Sequence, residues 1–120
     1  MKHFLSYVDE SIKANWKSPA LSNYGANTFT YGEVATEIER MHLLFEECGI
    51  KKGDKIALCS RNSAEWCIAY FAVVSYDAVC VPLLADFLPQ NIADLTRLSD
   101  SRLLMVDDSI FGGLKRDGIL

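Results

Sequence analysis

The side chains best equipped for chemistry are few and scattered along this chain. Asp107-Asp108 follow an apolar run, Arg102-Leu103-Leu104-Met105-Val106, and the carboxyl ends of parallel strands are where α/β proteins gather their sites. A phosphoryl-accepting receiver domain would use such acids for Mg²⁺ and for the phosphoryl group. It would also need a lysine and a hydroxyl residue on later strands, and only residues 109–120 remain. The plainer expectation is that Asp108 or Ser109 caps a short helix.

The other candidates are weaker. Gly112-Gly113 with Lys115-Arg116 is the nearest approach to a phosphate cradle, but such cradles come directly after a strand, and neither G-x-G-x-x-G nor G-x-x-x-x-G-K is present. The pair reads as a turn. His3 and His42 have no serine or cysteine partner in a nucleophile motif, so His42, beside Met41, reads as a packed histidine. Lys51, Lys52 and Lys55 around Asp54 read as a solvated basic turn. Cys48, Cys59, Cys67 and Cys80 stand 11, 8 and 13 residues apart with no C-x-x-C pair. That spacing is wrong for zinc, and buried thiols in a reducing compartment are expected. No catalytic, cofactor-binding or metal residue is assigned.

The elements that would position these groups follow from periodicity. Phe4, Leu5, Val8, Ile12 and Trp16 put one apolar stripe on a helix over residues 3–16, which Pro19 ends. Ala20-Leu21 and Thr28-Phe29 flank a glycine-bearing stretch and read as a small hairpin. Thr30-x-x-Glu33 is a capping box, and the helix it opens carries Tyr31, Val34, Ala35, Ile38, Met41, Phe45 and Cys48 on one face. Gly49 stands where a left-handed residue would stop it.

Lys55 to Cys59 is the first core strand, and Asn62-x-x-Glu65 reads as a second capping box. The helix over 63–76 carries Trp66, Ile68, Tyr70, Phe71, Val73 and Val74 round its circumference, so it is expected to be covered on most sides. Residues 79–83 form a second strand, Pro89 opens a helix carrying Ile92, Leu95 and Leu98, and 102–106 is a third strand. Short β-branched runs alternating with helices imply a parallel βαβαβ sheet. The organisation expected is helix and hairpin 1–29, βαβ core 30–108 and a weak tail 109–120, in which Ile110, Phe111 and Leu114 make one helical turn and Gly118 begins a strand. The chain is expected to end mid-pattern, with more protein after Leu120.

Composition narrows the partners. Half of the 120 residues are apolar, 23% are charged and the net charge is −4. A nucleic-acid partner would call for a basic face, so none is expected. The longest wholly apolar run, Trp66 to Val74, has nine residues, whereas a membrane span needs roughly 20. With acids interrupting the first apolar stretch, no signal-peptide core forms and a cytoplasmic location is expected.

Taken in order, Thr30-Tyr31-x-Glu33, Cys48-Gly49-Ile50-Lys51-Lys52-Gly53-Asp54-Lys55-Ile56-Ala57, Asn62-x-x-Glu65, Ala78-Val79-x-Val81-Pro82-Leu83, Asn91-Ile92 with Leu95, and Ser99-Asp100-Ser101 resemble the opening of the adenylate-forming enzymes. Arg61-Asn62-Ser63-Ala64-Glu65-Trp66 and Val81-Pro82-Leu83-Leu84-Ala85-Asp86-Phe87 resemble the fatty-acyl CoA ligases among them. One departure is Asp77, where the family usually has glycine; aspartate tolerates a left-handed helix end better than most residues.

The resemblance implies a layered α/β large domain of which this chain is the amino-terminal segment. It also implies a parent enzyme that joins a fatty acid to coenzyme A through an acyl-adenylate, with ATP and Mg²⁺ used and pyrophosphate released. The family's phosphate loop and catalytic lysine have no counterpart here, so the segment is expected to be inactive alone and to support the remainder of the enzyme. Isolated, with its apolar helix unroofed, it is expected to self-associate. A stand-alone small α/β binding module is the alternative reading.

Overall fold

In the computed structural model, residues 5, 10, 13–14, 16–17, 19–22, 28–61 and 63–119 are described, with backbone alone for 19–22. The helix expected over 3–16 lies outside the described residues except for Leu5, Glu10, Lys13 and Ala14, which are helical, and Trp16, which is in a turn. β1 (Pro19–Ser22) pairs antiparallel with β2 (Thr28–Thr30), as the hairpin reading requires, with a register shift between Pro19 and Leu21. Thr30 then turns the chain into α1 (Tyr31–Glu47). Its hydroxyl accepts from the Glu33 amide at 3.1 Å, and the Glu33 carboxylate accepts from the Thr30 amide at 3.0 Å. Two of the amides that a helix start leaves unpaired are thereby satisfied.

The central sheet is parallel. Its strands are β3 (Lys55–Cys59), β4 (Val79–Leu83) and β5 (Leu103–Val106), in the order β4-β3-β5. β3 is buried from Ile56 to Cys59 because it has a neighbour on each side. The connections run through α2 (Ala64–Ser75) and α3 (Pro89–Leu98), and α4 (Asp108–Arg116) follows β5. Phe45 and Ile50 from α1 and its exit, Ala72 and Val73 from α2, and Ile56 and Ala78 form one apolar cluster, with Leu103 and Met105 packed against it. The side chain of Phe45 is wholly buried. The helices α3 and α4 pack on each other, with Ile92 and Leu114 buried.

The helices α1 to α4 share one ending. In α1 the amide of Gly49, at φ +74°, donates to Glu46 O (3.0 Å), and the amide of Ile50 donates to Phe45 O (2.9 Å). This crossed pair satisfies two orphan carbonyls and demands a left-handed residue at its centre. Asp77 (φ +66°) fills that place after α2, Asp100 (φ +57°) after α3 and Gly118 (φ +72°) after α4, each with the same two bonds.

Several expectations are corrected. The cap of α2 is Ser63, whose hydroxyl accepts from the Trp66 amide at 3.1 Å; starting there puts Ala64 and Ile68 inward instead of Glu65. Asn62 lies outside the described residues. Gly112 and Gly113 lie inside α4, which runs nine residues from the Asp107 cap to the Gly118 ending, so they are no turn and Gly118 begins no strand. Leu98 is 80% exposed: with Ile92 and Ala93 inward, five and six steps of 100° carry it to roughly the opposite face of α3. Cys48 is exposed and Cys67 and Cys80 half-buried, so of the four thiols only Cys59 is buried. Cys48 occupies the cap position where the chain leaves α1, and Ile50 takes the buried place beside Phe45.

α2, expected to be unroofed in the isolated segment, is covered on most sides. Ala64, Ile68, Ala69, Ala72 and Val73 are buried, and Trp66, Tyr70, Phe71 and Val74 are half-buried. Among the described residues the open large apolar side chains are elsewhere: Leu43 and Leu44 on α1, Val79 on β4, Leu84 and Leu88 between β4 and α3, Leu98, Phe111 and Trp16. Among the described residues no helix is long and apolar enough to cross a membrane.

Candidate functional site at the carboxyl edge of the sheet

Register brings three loops together. Cys59 lies level with Leu83 on one side and Val106 on the other, so Ser60-Arg61, Leu84-Ala85-Asp86 and Asp107 leave the sheet at the same height. This is the edge at which open parallel sheets bind ligands.

Asp107 is the most heavily engaged side chain there. Its Oδ1 accepts from the Ile110 amide at 2.8 Å and caps α4; its Oδ2 accepts from the Arg61 amide at 3.1 Å and the Ser60 hydroxyl at 3.3 Å. Partial burial opposes ionisation, but the bonds from Ile110, Arg61 and Ser60, with the Arg61 charge, outweigh it and hold the carboxyl below its ordinary value. Beside it, the Cys59 thiol donates to Leu84 O at 3.5 Å, and burial, followed by the Asp107 charge, pushes its pKa up to about 11. A thiol so protonated is neither nucleophile nor metal ligand at neutral pH.

Two open clefts flank this edge. One, of about 420 Å³, lies among Ser60, Arg61, Trp66 and Pro82 to Asp86. The other, of about 470 Å³, has an apolar floor of Leu58, Ala69 and Met105 and a polar rim that includes Ser63, Glu65 and Asp108. Ser60, Arg61 and Trp66 line both, and the Trp66 indole stacks on Tyr70 at 5.5 Å between centroids. A third cleft, of about 490 Å³, sits at the start of α1. There Trp16 covers Gly32, whose amide donates to Trp16 O at 2.7 Å; a Cβ on Gly32 would meet the indole at 2.6 Å. That third cleft shares no lining residue with the other two and is best explained by the packing of Trp16.

Among the described residues, the polar groups at this edge are engaged chiefly with one another. Ser60 bonds to a carboxylate whose lowered pKa makes it a poor base, with no imidazole between them. His42 is engaged elsewhere: Nε2 lies 3.0 Å from Ala72 O and 2.9 Å from Ser75 Oγ, and its ring packs on Tyr76, tying α1 to α2. Lys51, Lys52 and Lys55 are exposed, while Asp54 accepts from the Lys51 amide at 2.7 Å and pairs with Arg102 at 3.6 Å, closing the turn. Lys115 and Arg116 occupy the last turn of α4, where cations complement the helix dipole. His3 lies outside the described residues. Among the described residues no group of three potential metal ligands comes together.

Of the acidic pair, Asp107 is the cap and Asp108 is exposed in the first turn of α4, one residue earlier than expected. Ser60 went unmarked in the sequence, and Arg61 was marked only as part of a family motif, not as a site residue. The signal for them was positional, since in a parallel sheet the residue after Cys59 must face the residue after Val106.

An α/β unit with a three-stranded parallel sheet, entered through a hairpin and carrying its loops on one edge, has close counterparts. Coronafacic acid ligase from Pectobacterium brasiliense superposes over 98% of this chain with a TM-score of 0.87 at 22% identity, using 23% of its own length. The N-terminal subdomain of NpsA from Klebsiella oxytoca superposes over 85% with a TM-score of 0.73 at 24% identity. In sequence, the crotonobetaine/carnitine–CoA ligase of Proteus mirabilis is 35% identical over 81 residues, 68% of this chain and 16% of that enzyme. Surfactin synthase subunit 2 of Bacillus subtilis is 26% identical over 102 residues, 85% of this chain and 3% of that protein. Residues 8–117 match the family of AMP-binding enzymes, and the chain belongs to that adenylate-forming family. It spans about a sixth of the length of the CoA ligase it matches.

Proposed function

We propose that this chain is the amino-terminal segment of an ATP-dependent acyl-CoA synthetase that activates fatty acids in the cytoplasm, and that the segment itself performs no chemistry. In the parent enzyme ATP, Mg²⁺ and coenzyme A would be held by residues beyond this segment, and the fatty acid would pass through an acyl-adenylate to the thiol of coenzyme A. The segment's part is support: it supplies one parallel sheet and the helices that cover it to the remainder of the enzyme, its principal partner. The observation that carries this reading is the family match over residues 8–117, together with a carboxyl edge whose one ionised, partly buried carboxylate is spent on tying loops together.

The test has two arms. The 120-residue chain should give neither saturable Mg²⁺-ATP binding by calorimetry nor pyrophosphate release with fatty acids, because amides and a lysine aimed at a triphosphate are needed for both. Micromolar binding, or turnover, would overturn the segment reading and favour a self-contained binding module. The protein encoded by the continuous reading frame should release pyrophosphate with fatty acids and coenzyme A; turnover confined to another class of acid would refute the fatty-acid assignment and leave the ligase standing.

A further inference from the structure

We propose that Asp107 is a two-sided clasp, whose single carboxylate holds the Ser60–Arg61 loop against the first turn of α4 and thereby sets the width of both clefts. The two oxygens have separate duties. Oδ1 serves its own helix through the Ile110 amide three residues on. Oδ2 reaches 46 residues back to the Arg61 amide and 47 back to the Ser60 hydroxyl. Capping alone needs only one acceptor, and serine, threonine or asparagine would supply it. A second acceptor on so short a stem is what aspartate adds.

The loop it holds is the wall shared by the two clefts, since Ser60, Arg61 and Trp66 line both. Among the described residues, the side-chain hydrogen bonds that tie Ser60-Arg61 to another loop both end on Asp107; the Ser60 hydroxyl's other contact, to Arg61 O at 3.3 Å, is local. The Arg61 side chain is exposed, so neither burial nor packing of the guanidinium holds the loop in its place. Freed from Oδ2, the Ser60–Arg61 wall would swing while α4 kept its cap.

Site-resolved amide hydrogen exchange on the 120-residue chain separates the two duties. Asp107→Asn keeps one acceptor, which suffices for the Ile110 cap, and lacks the second. Exchange at the Arg61 amide should rise roughly tenfold, the loss of one charge-assisted hydrogen bond, with Ile110 unchanged. Asp108→Asn removes an adjacent charge that makes neither bond and should leave Arg61 unchanged. Ser60→Ala, a milder change that preserves the fold if Asp107→Asn does not, should raise Arg61 exchange by a smaller factor with Ile110 again unchanged. Unchanged Arg61 exchange in Asp107→Asn or in Ser60→Ala, equal acceleration at Arg61 and Ile110, or a rise at Arg61 in Asp108→Asn would overturn the clasp.

Discussion

Cysteine reactivity follows from where each thiol sits. Cys48 is exposed at the end of α1, whereas Cys59 is buried on the central strand with its pKa raised to about 11. At pH 8 a disulfide reagent should therefore label Cys48 promptly and leave Cys59 unlabelled until the chain unfolds; mass mapping of the labelled peptides measures both. The linkage has a definite sign. Between the ordinary thiol value of 9.0 and about 11 the folded chain keeps a proton that the unfolded chain releases, so stability should fall as pH rises through that window. Asp107 acts oppositely: its carboxyl is depressed in the fold, so its contribution is present above the ordinary carboxylate value and is lost as pH falls through the lowered one.

The helix ends offer a contrast between side chains asked to do the same thing. Gly49 and Gly118 take left-handed conformations freely, while Asp77 and Asp100 take them at some strain. Asp77→Gly should raise stability by about 0.5 kcal/mol, the relief of strain less the extra freedom given to the unfolded chain, and Asp77→Ala should lower it by about 1 kcal/mol. Inside α4 the logic reverses. A Cβ on Gly112 would meet nothing within 4 Å, so Gly112→Ala should stabilise by about 1 kcal/mol through helix propensity. Urea midpoints at unchanged slope are the measurement for all three, and a loss of stability in Gly112→Ala would contradict this account of α4.

At the scale of the molecule, the apolar surface lies where the helices and loops leave it, with Leu84 65% and Leu88 70% exposed in one short loop and Leu98 80% exposed at the end of α3. β4 and β5 are both edge strands of a three-stranded sheet, and open edges pair readily. The isolated chain should therefore form dimers or larger species with rising concentration, and Leu84→Ser with Leu88→Ser should weaken that association without unfolding it. Sedimentation over a wide concentration range decides; a monomer at high concentration that binds no hydrophobic dye would show a surface with no partner to seek.

Local signals carried most of the fold. The Thr30–Glu33 capping box, Gly49 and Asp77 at helix ends, Pro89 at a helix start and the three β-branched runs each act within four residues of themselves, so they were legible before any tertiary contact was known. The structure departed from the sequence reading where a choice turned on distant partners. Ser63 caps α2 because that start buries Ala64 and Ile68; Gly112-Gly113 stay helical because Asp107 and Leu114 hold both sides of them; Leu98 faces solvent because Ile92 and Ala93 claim the interior. In the candidate site, Asp107 stood out in the sequence as an acid at the end of a strand, whereas its partners Ser60 and Arg61 belong to this second kind. Sequence by itself determined the elements from the hairpin to β5, their order and the family, since periodicity and caps are local and motifs recur in order. Only the tertiary structure decided that Ser60, Arg61 and Asp107 meet, because parallel register, not proximity along the chain, sets which loops leave a sheet side by side.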